Sequence, residues 1–148
     1  MKTKIMETAA MCGVFRMRIY RRGSLIEDYE DHNLIVDGAR AAMARLVAGN
    51  GTGKNINRIA FGINGGMPDP SNTSIVSPFT KNFDRISYPA SNQVEFSWSL
   101  ATTEANGKAI SEFGLLCADN TLFARKNREK PISKDSDIAI EGQWVIIF

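Results

Sequence analysis

Histidine occurs once in this chain and cysteine twice, and that scarcity removes most metal and nucleophile chemistry at the outset. A structural zinc site takes four Cys or His ligands at close spacing, whereas Cys12 and Cys117 stand far apart with no histidine beside either. His32 sits next to Asp31 in an acidic stretch, and the chain has no G-x-S-x-G nucleophile elbow. It reads as an exposed strand histidine, not a general base. Long apolar runs are also missing. Nothing approaches the roughly 20 residues of a membrane helix, so no membrane insertion is expected. Charge of one sign is lacking too: a net +2 argues for neither nucleic acid nor an anionic membrane. The opening MKTKIMETAAMCGVF carries two lysines, but Glu7 interrupts its apolar part. That is a poor signal peptide, so both cysteines are expected to be reduced thiols in or near the core.

What remains is the composition of an ordinary soluble domain: 148 residues, 43% hydrophobic and 23% charged. A single domain over 1–148 is expected, with 1–11 as a loose leader. One stretch, residues 33–49 (NLIVDGARAAMARLVAG), has a helical period. Val36, Ala39, Met43, Leu46 and Val47 share a face, Asn33 or Asp37 is placed to cap the start, and Gly49 is placed to end it.

Almost everything else reads as strand and turn. Residues 12–20 and 25–32 form a hairpin about Arg21-Arg22-Gly23-Ser24, with Arg16, Arg18, Arg21 and Arg22 facing Glu27, Asp28, Glu30 and Asp31. Residues 56–63 are apolar on both sides, as in a sandwiched strand. The Gly/Pro-rich 65–72 is a surface loop, and 73–81 is expected to cross from one part of the sheet to another. In NQVEFSWSLA, Val94, Phe96, Trp98 and Leu100 take one face. Asn106-Gly107 favours a type I′ turn into 109–118, a tight turn at Asp119-Asn120 leads into 121–126, and 127–137 is a charged loop. The last strand, 138–148, puts Ile138, Ile140, Trp144, Ile146 and Phe148 on one face. The fold class expected is mainly β with one α-helix, an antiparallel β-sandwich or bent sheet with the helix packed against it.

Several motifs suggest chemistry and fall short of it. Residues 49–55 (GNGTGKN) resemble a phosphate loop, but the spacing is one residue short and Asn55 stands where Ser or Thr is needed. The segment also follows a helix and opens a strand, the reverse of the motif. It reads as a glycine connector with a solvated Lys54. Asp135 and Asp137 lack the glycine and terminal glutamate of a calcium loop. Arg125-Lys126-Asn127-Arg128-Glu129-Lys130 reads as a solvated basic loop. Trp98, Trp144, Phe96 and Phe148 read as core or subunit interface, not a sugar platform. No catalytic residue, cofactor or metal is expected. Trp144, Ile146 and Phe148 are the candidate assembly residues, because 144–148 is apolar on both faces.

The order of elements carries a resemblance. Asn33-Leu34-Ile35-Val36-Asp37-Gly38-Ala39-Arg40 opens a helix, followed by Ile59-Ala60-Phe61-Gly62, a Gly/Pro loop and Pro78-Phe79. Then Glu112-Phe113-Gly114-Leu115-Leu116 leads through Ala118-Asp119-Asn120-Thr121-Leu122-Phe123-Ala124-Arg125 to a closing strand. This resembles small tail-associated structural proteins of phages and prophages, of tail-fibre, collar or baseplate-attachment type, over roughly residues 33–148. Asp119-Asn120 replaces the usual Asp-Gly, a turn that Asn also tolerates. The resemblance implies a non-catalytic virion building block made in the bacterial cytoplasm and assembled into a tail. Its partners would be copies of itself and other tail proteins. The alternative is a β-sandwich module recognising a cell-surface glycan, although loops 65–72 and 127–137 hold no aromatic residue.

Overall fold

Arg22 and Gly23 both take positive φ, 50° and 81°, the backbone of a two-residue hairpin turn that matches strand twist. On either side run β1 (Cys12–Arg21) and β2 (Ser24–Ile35). Their register sets Arg16 opposite Glu30 and Arg18 opposite Asp28 on the outer side, and Phe15, Met17 and Ile19 opposite Asp31, Tyr29 and Glu27 on the inner side. Phe15, Met17 and Ile19 are buried. This computed structural model describes residues 11–148. The leader expected over 1–11 therefore lies outside the described residues except for Met11, which packs against the core.

The chain continues through α1 (Asp37–Val47), β3 (Ile56–Gly62), β4 (Phe79–Asn82), β5 (Arg85–Ser87), β6 (Gln93–Leu100), β7 (Ala109–Cys117), β8 (Leu122–Ser133) and β9 (Ile138–Ile147). The strands form one nine-stranded sheet in the order β4-β3-β7-β8-β2-β1-β9-β6-β5. Its ladders are antiparallel, and it curls into a half-barrel. The two edge strands, β4 and β5, are consecutive in sequence with only residues 83–84 between them, so the edges must approach each other. Lys81 of β4 fastens this corner, its Nζ donating to Ser99 O of β6 (3.0 Å) and to Glu104 (2.7 Å). Phe83 in the connection packs on Phe96 with ring centroids 4.8 Å apart.

The inner face is an aromatic core. Phe15 lies 4.6 Å from Phe113, 5.1 Å from Trp144 and 5.6 Å from Trp98, centroid to centroid. Strict alternation in β6 places Phe96, Trp98 and Leu100 in it, as the sequence pattern predicts. The mainly-β fold with one helix is the observed one.

Details differ from expectation where tertiary contacts override local signals. The helix is shorter than 33–49, because β2 runs on through Ile35. Asn33 is no cap: its Oδ1 accepts a hydrogen bond from Trp144 Nε1 at 3.0 Å, and the N-cap is Val36, with no side-chain cap. The buried helix face is Val36, Ala39 and Ala42, while Leu46 and Val47 are exposed. Small alanines let the helix approach the strand ends closely. Gly49 ends it with φ 77°.

In the 105–107 turn the positive φ values fall on Ala105 and Gly107, not on an Asn-Gly pair, since Asn106 is engaged with Lys134 and Thr102. Residues 73–81 do not lead to a distant part of the sheet: the chain returns to pair as β4 beside β3 itself. Cys117 is buried and Cys12 is exposed; both are free thiols.

Candidate functional site

A buried ion pair lies on the outer face of β3, β7 and β8. Cross-strand register puts Gly62 beside Glu112, and Ala60, Gly114 and Arg125 in one row. Glu112 and Arg125 are buried, 0% and 1% exposed, in a setting where an isolated charge would be very costly. They are paired: Arg125 Nε donates to Glu112 Oε1 at 3.0 Å.

The other carboxylate oxygen and the other two guanidinium nitrogens hold the connection between β3 and β4. Glu112 Oε2 accepts from the backbone N–H of Asn64 (2.6 Å) and of Val76 (3.2 Å). Arg125 donates to Asn64 O (2.7 Å) and Asn72 Oδ1 (3.2 Å). Residues 63–78 are thereby strapped across the sheet. Ile75 is driven into a second apolar cluster with Val36, Ala60, Leu116 and Leu122.

The strap lies so close that a Cβ on Gly114 would come within 2.7 Å of Ile75, and one on Gly62 within 2.8 Å of Glu112; only glycine fits at either place. Pro70 O then accepts the Asp37 N–H at 2.9 Å, so the strap also satisfies the open start of α1. The arrangement is a clamp. Both carboxylate oxygens and all three guanidinium nitrogens are occupied by protein partners, which leaves the pair to hold a loop in shape.

This corrects the reading of Arg125 and Lys126 as members of a solvated basic loop. β8 extends to Ser133 through Pro131, and both side chains are buried. No local motif marks Glu112 or Arg125 for this role. The available signal was the single charge of β7, AISEFGLLC, because a charge among apolar strand residues is buried only when paired; Arg125 opens the charged run of β8, LFARKNREKPIS, and carried no such mark.

The other candidates are scattered. Trp144 and Ile146 are 0% exposed in the core of the single chain, so of the three assembly candidates only Phe148, 45% exposed, presents its side chain outward. Its backbone is tied to Asn92 at 2.9 Å. His32 is exposed, with Nδ1 3.3 Å from Gly13 O.

Lys54 is not merely solvated. Its ammonium meets Asp119 at 2.7 Å and Thr121 Oγ1 at 3.3 Å. The hydrogen bond from Lys54, followed by that from Thr121, holds the Asp119 carboxyl far below the usual range. Asp137 pairs with Arg21 at 3.4 Å, while Asp135 O accepts from Lys134. Arg16 meets Glu30 as expected, at 2.6 Å. Arg18 turns instead to Glu141 of β9, at 3.1 Å, because β1 is flanked by a strand on each side.

Among the described residues no group of three or more His, Cys, Asp or Glu is arranged to hold a metal ion. No helix among them is long and apolar enough to cross a membrane.

No protein-family model, curated protein or solved structure matches this chain.

Proposed function

We propose that this chain is a non-catalytic structural subunit of a phage or prophage tail, from the fibre or baseplate region, that works by assembling with copies of itself and with other tail proteins. The order of motifs over 33–148 supports the tail assignment. The observation that carries the assembly mechanism is one corner of the sheet. Ile86 of β5 is opposite Phe96, which is opposite Trp144 of β9, so Ile86 belongs to the core-facing row. Tyr88 and Phe148 continue that parity toward the strand ends. The fold leaves these apolar side chains uncovered: Ile86 is 48%, Tyr88 76% and Phe148 45% exposed. Apolar groups grouped beside a sheet edge are what a subunit interface buries. The edges themselves are short, β4 with 4 residues and β5 with 3, which disfavours open-ended strand addition and favours a closed ring or trimer.

Sedimentation velocity at tens of micromolar, a range that populates modest interfaces, should show a discrete oligomer. Ile86→Lys with Tyr88→Lys should convert it to monomer with unchanged circular dichroism. A wild-type chain that stays strictly monomeric would overturn the assembly mechanism, and a gene with no tail genes beside it would remove the tail assignment. Tyr88, 76% exposed in the connection between β5 and β6, is an aromatic residue of the kind that the glycan-binding alternative needs. Saturable glycan-array binding abolished by Tyr88→Ala, in a protein that stays monomeric, would establish that reading instead.

A further inference from the structure

The half-barrel has one seam that is closed by side chains in place of a backbone ladder. β2 and β8 share only two rungs, Leu34↔Arg125 and Ile35↔Ala124. Among the described residues no backbone hydrogen bond joins the rest of β2 to β8, whereas the far side of β2 is laddered to β1 from Ser24 to Asn33.

Across the gap stand two ion pairs. Lys126 Nζ meets Asp31 Oδ2 at 2.7 Å, and Arg128 grips Glu27 with two bonds, 2.5 and 2.7 Å. Tyr29 lies between them on the same row of β2. Its ring has Lys126 Nζ 5.8 Å and Arg128 Cζ 5.6 Å from the centroid, and its hydroxyl donates to Asp31 at 3.2 Å. The cations are sunk, with side chains 10% exposed, while the carboxylates of Asp31 and Glu27 are 50% and 33% exposed. Hollows of about 530 Å³, beside Tyr29 and Met67, and about 310 Å³, beside Ile26 and Pro131, flank the seam.

We propose that the β2–β8 seam is an ionic latch: when its two pairs are screened or neutralised it opens as a local unit, leaving the rest of the sheet intact. Ion pairs whose carboxylates reach water weaken as salt rises, whereas backbone ladders and the aromatic core do not. The closure of this seam therefore depends on ionic strength. Once open, the β1–β2 hairpin is joined to β8 only through its two rungs at Leu34 and Ile35, which become the hinge. The inference is independent of the tail assignment.

Trypsin reads the latch directly, because Arg128 is itself a cleavage residue and lies in the stretch of β8 between its rungs to β7. The full chain is digested briefly at low salt and at about 1 M NaCl, with a small peptide substrate alongside to correct for salt effects on the protease, and the cuts are assigned by mass spectrometry. Cleavage after Arg128, which lies between the Asn127 and Ile132 rungs to β7, should rise on the order of fivefold in high salt, the change expected for loss of about 1 kcal/mol of local closure. Cuts elsewhere should not change. Glu27→Gln with Asp31→Asn should show the fast rate already at low salt. Equal rates at both salt concentrations would overturn the latch. So would a rise at all sites together, which would mean global unfolding.

Discussion

Arg125→Met is the sharpest test of the clamp. Methionine keeps most of the aliphatic bulk of arginine and removes its charge and five donors. In the native structure Arg125 neutralises Glu112 and also satisfies Asn64 O and Asn72 Oδ1. The variant leaves Glu112, 0% exposed, as an uncompensated buried carboxylate. Breaking such a pair from one side costs about 3–5 kcal/mol, a large part of the roughly 5–15 kcal/mol that stabilises a typical domain. For a chain of this size the melting temperature should fall by about 8–16 °C. Urea unfolding followed by tryptophan fluorescence measures the loss, since Trp98 and Trp144 are both buried. Adding Glu112→Gln to Arg125→Met should recover part of the loss, on the order of 1–2 kcal/mol, because the buried charge is gone while an acceptor for the Asn64 N–H remains. A loss below about 1 kcal/mol in Arg125→Met, or a double variant no better than the single, would refute the view that the pair is a closed, dry clamp.

Trp98→Ala should cost about 3–5 kcal/mol in the same melts, since the indole packs over Gly142, where a Cβ would sit 2.5 Å from the ring. Thiol labelling with iodoacetamide at pH 8 should modify Cys12 quickly and spare Cys117, whose thiol burial pushes up to about 11; mass spectrometry of the intact and then the unfolded chain reads one adduct, then two. Gly49→Ala should destabilise by about 1 kcal/mol in thermal melts, because alanine resists the positive φ that ends α1. Acid should weaken the β2–β8 seam. Arg128 lowers Glu27, with Lys130 nearby and Arg21 lining the same hollow; Lys126 lowers Asp31, helped by the His32 N–H and the Tyr29 hydroxyl. Carboxyls depressed in the folded state stabilise it fully above about pH 5 and lose that contribution as pH falls through about 4 and below. Amide hydrogen exchange over residues 128–131, corrected for the intrinsic pH dependence of exchange and read by mass spectrometry, should therefore rise on acidification and not on alkalinisation.

Periodicity by itself determined the class of this protein. Alternation in β6 and β9 names the core side chains, because a pleated strand has only two faces and one of them must be dry. The single run of period 3.6 names the helix, and the glycine after it names its end. Residue types alone also set aside a zinc site and a phosphate loop, as both require fixed spacings that are missing. What only the tertiary structure decided is where charges go. A lysine or arginine in a strand looks alike in sequence whether it meets solvent, as Arg16 does, or a glutamate buried under a returning loop, as Arg125 does, for burial depends on what later folds over that face. Likewise Trp144 and Phe148 share a strand face and an apolar character, yet one stands in the core and the other half in water. The strand fixes the side they point to, and only the neighbouring strands decide how far along it the cover extends.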